Sequence, residues 1–171
     1  WLRFYGFSRE RGNDFGSFWL ATDNLFGWHR SVQFVNNFGL AAVALTGLVL
    51  LMLGHRIDWV TGSLVIVGVF TLVNKVYSPQ YWLWLAPLVA MAVRHRAEWV
   101  LWNLAQLIYF VGIWRHLLWL LDSGAVGAIT PELYSKITLL NWSATALVLL
   151  LAVFHSLREG RWRTRSGRLR L

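Results

Sequence analysis

Five runs of apolar residues, at 38–53, 57–73, 81–93, 99–121 and 137–157, decide what this chain can become. A helix needs roughly 20 apolar residues to cross the hydrocarbon of a bilayer, within a range near 17–25. In lipid every backbone N–H and C=O has to be satisfied by the chain itself, so runs of this length span as helices. The sequence therefore predicts an all-α fold, a polytopic integral membrane helix bundle of about five spans. The third run is too short for an upright crossing and carries Pro87. It is expected to be a thinned span, a broken helix or a re-entrant element, which is tolerated where protein covers its backbone. Composition agrees: 57% of residues are hydrophobic and 14% charged, where soluble domains carry roughly a quarter charged.

The absence of cysteine excludes disulfides, zinc–thiolate sites and thiol catalysis. The five histidines fall at no metal-binding spacing, so neither a metal site nor a cofactor is expected. The chain opens on Trp1, and W-L-R-F-Y-G-F has no signal-peptide pattern. The reading is of a C-terminal part of a longer protein.

Three regions follow: an outward-facing segment at 1–36, a transmembrane helical domain at 37–157 and a basic cytoplasmic tail at 158–171. In the first, Arg3, Arg9, Arg11 and Arg30 stand against Glu10, Asp14 and Asp23. Phe15, Phe18, Trp19, Leu25 and Phe26 recur at helical spacing behind the potential caps Asn13 and Asp14. This predicts an amphipathic helix, either lying in the membrane interface or packed on the rest of the protein. The tail R-E-G-R-W-R-T-R-S-G-R-L-R-L, with Arg56, Arg94 and Arg96, falls on one side of a five-span chain. Basic residues near span ends mark the cytoplasmic side, so the C-terminus is expected inside. Placed just after a span, the tail suits anionic lipid rather than nucleic acid. Trp59, Trp99 and Trp102 are expected near the inner boundary, and Trp82, Trp84, Trp114, Trp119 and Trp142 near the outer one, as interfacial belts.

Between the second and third runs lies a polar knot, N-K-V-Y-S-P-Q-Y-W-L-W-L-A-P-L, at the outer mouth. Lys75 offers a compact cation, Tyr77 and Tyr81 phenols, Ser78 a hydroxyl and Gln80 an amide. Together they suit an anion or a sugar; a Ser-Pro turn flanked by interfacial anchors is the alternative. Arg115 and His116 lie inside the fourth run, where ionisable residues are functional candidates unless they snorkel to the headgroups. Asn103 and Gln106 on the same run read as interhelical hydrogen bonders. His55, His95 and His155 read as solvated residues at the inner ends.

The string K-V-Y-S-P-Q-Y-W-L-W-L-A-P-L resembles the K-x-x-S-P-Q-Y-x-x-W-L-x-P-L signature of bacterial family 87 glycosyltransferases, membrane enzymes of the C-type superfamily. F-Y-G-F-S-R-E-R-G-N-D-F-G-S-F-W-L is similar to their R-G-x-D-x-G-S-x-W loop, as in actinobacterial members. The resemblance implies transfer of a hexose, typically mannose, from a polyprenyl-phosphate donor to a cell-envelope glycan or glycolipid, at the outer face of the bacterial plasma membrane. It implies an acidic base near the acceptor hydroxyl and basic groups on the departing phosphate. Lys75, Tyr77, Gln80 and Tyr81 would line the donor site, with Arg115 and His116 as helpers. The base would lie upstream, and 1–171 alone would be inactive. Asp14 is expected to cap a helix. The rival reading is a non-catalytic membrane protein, such as a transporter or flippase of lipid-linked saccharides.

Overall fold

A computed structural model describes residues 12–168. Among them are six α-helices and no strand: α1 Phe18–Phe26, α2 Val32–Leu53, α3 Trp59–Val73, α4 Tyr81–Ala92, α5 Arg96–Leu121 and α6 Pro131–Arg168. A 3-10 turn, Gly54–Arg56, joins α2 to α3. Helices α2, α5 and the Pro131–Glu159 part of α6 are long and apolar enough to cross a membrane; α3 and α4 are apolar but shorter. The expected ion balance around Arg3, Arg9, Glu10 and Arg11 lies outside the described residues.

Local signals fix the helix starts. Ser17, Ser31 and Asp58 each accept a backbone N–H from the first turn of α1, α2 and α3, respectively, which satisfies donors that a helix N-terminus leaves open. Ser17 thus takes the capping role that the sequence assigned to Asn13 or Asp14. Asp14 instead turns back on the chain, its Oδ1 accepting the Phe15 N–H at 2.7 Å. The Ser31 cap starts α2 six residues ahead of its apolar run. At the other end α6 runs on to Arg168, so the basic tail begins as a continuation of the last helix.

Successive helices from α2 onward alternate in direction, and α5 and α6 pair along most of their length. Their unequal lengths shape the bundle. At about 1.5 Å per residue, α5 is about 39 Å long, whereas α3 and α4 reach only about 22 Å and about 18 Å. Asp58 at the start of α3 meets Ser156, and Leu72 near its end meets Trp142. The α3–α4 hairpin therefore begins level with Ser156 of α6 and stops well short of the Pro131 end of that helix. Helix α4 continues unbroken through Pro87, so of the forms open to the third run a broken helix is excluded. The core lies between the hairpin and the long pair, built on Leu64, Leu72, Leu85, Val89, Trp102 and Leu149.

The step above the hairpin is filled by α1. Trp19, Ala21 and Thr22 are buried, and Asn24 Nδ2 donates to Ser135 Oγ of α6 at 3.2 Å. Of the two placements the sequence left open for this helix, the packed one is observed. Two tryptophans assigned to interfacial belts are internal: Trp102 is 2% exposed and donates to Thr145 Oγ1, and Trp142 donates to the Leu72 carbonyl.

Two predictions follow from the packing of α3 on α6. A Cβ on Gly68 would lie 2.6 Å from a Leu149 methyl. Gly68→Leu is expected to lower the melting midpoint in detergent, at an overpacking cost of about 1–3 kcal/mol, while Gly68→Ala is absorbed by rotation of Leu149. At the tail end, Asp58 accepts from Thr61 N–H at 2.9 Å, Thr61 O–H at 2.7 Å and Ser156 O–H at 2.8 Å. Burial alone would raise the Asp58 carboxyl, but these donors outweigh it and hold it below its ordinary value. Such a group stabilises the fold above its unfolded pKa, about 3.9, and that contribution is lost as pH falls through the lower folded value. Thermal melts should show Asp58→Asn less stable than wild type at neutral pH and less sensitive to acid below about pH 4.

Candidate functional site

The site is built on the tip of the α3–α4 hairpin, residues 74–80. A helix leaves its last carbonyls without intrahelical partners, and here the last two of α3 and two in the turn beyond it are met by neighbours. Trp142 Nε1 donates to Leu72 O at 3.0 Å and Trp19 Nε1 to Val73 O at 3.1 Å. Asp14 N donates to Lys75 O at 2.8 Å, and Tyr77 N donates to Phe15 O at 3.0 Å. Tyr109 O–H donates to Tyr77 O at 2.7 Å. The two sequence strings singled out for their likeness to one family are thus joined backbone to backbone.

Gly16 makes that junction possible. Its φ is +73°, a region that L side chains rarely adopt. A Cβ there would run into the Tyr109 hydroxyl and the Tyr77 carbonyl. Beneath the tip, a polar chain crosses the bundle: Tyr77 O–H donates to Gln106 Oε1 at 2.9 Å, and Gln106 Nε2 donates to Thr145 Oγ1 at 3.1 Å. On α6, Tyr134, Thr138, Asn141 and Thr145 form a buried polar stripe at helical spacing. Tyr134 Oη, Thr138 Oγ1 and Asn141 Oδ1 are enclosed and make no hydrogen bond among the described residues.

Lys75, Tyr77 and Tyr81 come together at the tip. Lys75 is 7% exposed and stands at one end of a groove of ≈ 380 Å³ between α2 and α3. The groove walls are Val35, Gly39, Leu40, Val43, Phe70 and Val73, and its polar end is Asn36, Asn74 and Lys75. Tyr77 is buried and faces inward to Gln106, and Tyr81 stands edge-on to it at 5.5 Å. Tyr81 Oη also accepts from Asn74 Nδ2 at 3.5 Å. Gln80 is exposed and begins α4.

Arg115 and His116 lie elsewhere. Arg115 is exposed and lines a second groove, of ≈ 410 Å³, with Leu107, Ile108, Val111, Ile129 and Ile137. His116 is 5% exposed, stacked on Tyr134 at 4.4 Å, with Nδ1 3.3 Å from the Ile129 carbonyl oxygen. The knot is not an open mouth, because α1 and residues 14–17 cover it; the α2–α3 groove is its lateral opening. Sequence reasoning missed Gly16, Tyr109 and the α6 stripe. The i, i+4, i+7, i+11 spacing of polar residues within an apolar run was the available signal for the stripe.

No protein-family model, curated protein or solved structure matches the chain.

Gly16→Ala should destabilise the protein strongly, and Tyr109→Phe by about 1 kcal/mol for the lost hydrogen bond. Because Tyr109→Phe clears part of the space a Gly16 methyl needs, the double variant should be more stable than the sum of the two losses predicts. Chemical denaturation in detergent micelles gives the coupling; strict additivity would show that Gly16 is not required by that contact.

Proposed function

We propose that this chain is the C-terminal part of a membrane glycosyltransferase that takes a hexose, mannose in the first instance, from a polyprenyl-phosphate donor. The observation that carries the reading is the α2–α3 groove. Its apolar length suits a prenyl chain, and Lys75 with Asn36 and Asn74 at its polar end suits a phosphate. A lysine meets phosphate as a point charge, and amides add donors. Such a charge also stabilises the phosphate that departs when the sugar is transferred. The family resemblance of the two strings that meet at Lys75 and Tyr77 supports the same reading.

In this reading the protein has five crossings, with the C-terminus cytoplasmic and the hairpin tip towards the outer leaflet. From a common inner level, α3 rises about 22 Å into a hydrocarbon layer about 30 Å thick. That leaves the end of α3 about 8 Å beneath the outer headgroups, a depth at which a lipid phosphate meeting the tip is drawn inward. Arg115 then reaches the outer headgroups by itself, in its own groove. Tyr77, turned inward, shapes the tip rather than touching the donor. The acceptor is a cell-envelope glycan or glycolipid, and the acidic base belongs to the part of the protein upstream of this chain. The transporter or flippase reading shares the groove but needs no transfer chemistry.

The test uses the whole protein in nanodiscs with radiolabelled polyprenyl-phosphate mannose and a membrane acceptor extract. Sugar transfer is expected, and Lys75→Ala should raise the donor concentration needed for half-maximal rate more than tenfold, about 1.4 kcal/mol, with little change in melting midpoint. Donor binding without any transfer would favour the transporter reading, and wild-type donor dependence in Lys75→Ala would remove the phosphate role.

A further inference from the structure

At the end of the bundle opposite the hairpin tip, three side chains converge that no spacing in the sequence brings together. His95 and Glu98 stand three residues apart at the start of α5, and His155 comes from α6. One ligand atom of each lies within 4.8 Å of the others. His155 Nε2 is 3.0 Å from Glu98 Oε1, and the two imidazoles meet edge to face at 5.7 Å. Glu98 and His155 are each only 13% exposed. The second carboxylate oxygen, Glu98 Oε2, is enclosed and makes no hydrogen bond among the described residues.

We propose that His95, Glu98 and His155 bind one divalent transition-metal ion of the zinc class. Two imidazoles and one carboxylate are a donor set that zinc takes with water in the remaining position. Bonds of about 2 Å in a tetrahedral shell set donor atoms about 3.3 Å apart. The observed separations, 3.0 Å for His155–Glu98 and within 4.8 Å for the others, bracket that value, and His95 is exposed at the head of its helix. A simple His–Glu ion pair would account for Glu98 Oε1 and His155. It would give no reason for the His95 imidazole to stand beside them. Arg94, next to His95 in the chain, is engaged by Glu159, so its charge is offset. A cavity of ≈ 350 Å³ adjoins His155, lined also by Arg56, Asp58, Arg94, Ser156 and Glu159. It gives the ion a hydrated side. A bound ion would cross-link the first turn of α5 to α6, where the chain leaves the apolar bundle.

The test uses the chain without a polyhistidine tag, purified in detergent, stripped with a chelator and titrated with Zn²⁺ against a chromophoric competitor. One saturable equivalent per chain is expected, with a melting midpoint that climbs with free zinc. Glu98→Gln and His155→Gln should each weaken binding about tenfold or more, the low end of what loss of even an outer partner costs. His29→Gln, at a histidine paired with Asp23 far from the site, should leave it unchanged. Absence of saturable uptake by the folded wild type overturns the proposal, as does unchanged affinity in both variants. Should a variant fail to fold, the visible spectrum of the Co²⁺-loaded wild type decides. Intense four- or five-coordinate bands support the site, and the weak spectrum of the hydrated ion overturns it.

Discussion

A helix that stops inside an apolar bundle strands its last carbonyls, and the upper half of this molecule is organised around that difficulty at Val73. A buried polar group without a partner costs about 1–3 kcal/mol, and water is scarce where α3 ends. Four carbonyls, from Leu72, Val73, Lys75 and Tyr77, are met by two indoles, one backbone amide and one phenol. These donors come from α6, from α1, from the turn before α1 and from α5. The requirement to satisfy one chain end therefore dictates where three other elements must stand. It also explains why tryptophan serves so often as an internal strut here: the indole is apolar over most of its surface and carries one donor at its edge.

Much of the architecture was legible in the sequence because it rests on length and hydropathy. All five apolar runs became helices, and the brevity of the third appeared as the short hairpin. Asn103 and Gln106, read as hydrogen bonders between helices, accept from Trp82 and Tyr77 respectively. What was not legible depends on partners distant in sequence. Nothing local distinguishes Trp142, which meets a helix end 70 residues away, from a tryptophan at a membrane boundary. Gly16 looks like any loop glycine until Tyr109 is placed against it. In sequence His155 reads as a solvated residue at a helix end, and its burial beside Glu98 follows only from the pairing of α5 with α6, 57 residues apart at that point.

The polar knot shows the same division. Its residue types suggested a binding surface, and Asn74 and Lys75 line the α2–α3 groove. The structure sorts its members by direction: Lys75 to the lateral groove, Tyr77 to the interior, Gln80 to the exposed start of α4. Arg115, grouped with Lys75 on chemical grounds, lines a different groove. Charge and hydrogen-bonding capacity can be read from a sequence, but shared access to one ligand is a matter of which face of which helix carries them.

The seat of α1 has a bearing on assembly. Its docking surface includes the hairpin tip and the Pro131-end half of α6, and one of its hydrogen bonds joins residues 111 positions apart. During synthesis this segment emerges before either partner exists. Non-local contacts of this kind form only after the intervening chain has been ordered. Residues 14–26, made ahead of α2–α6, therefore find their full seat only once both the tip and α6 are in place.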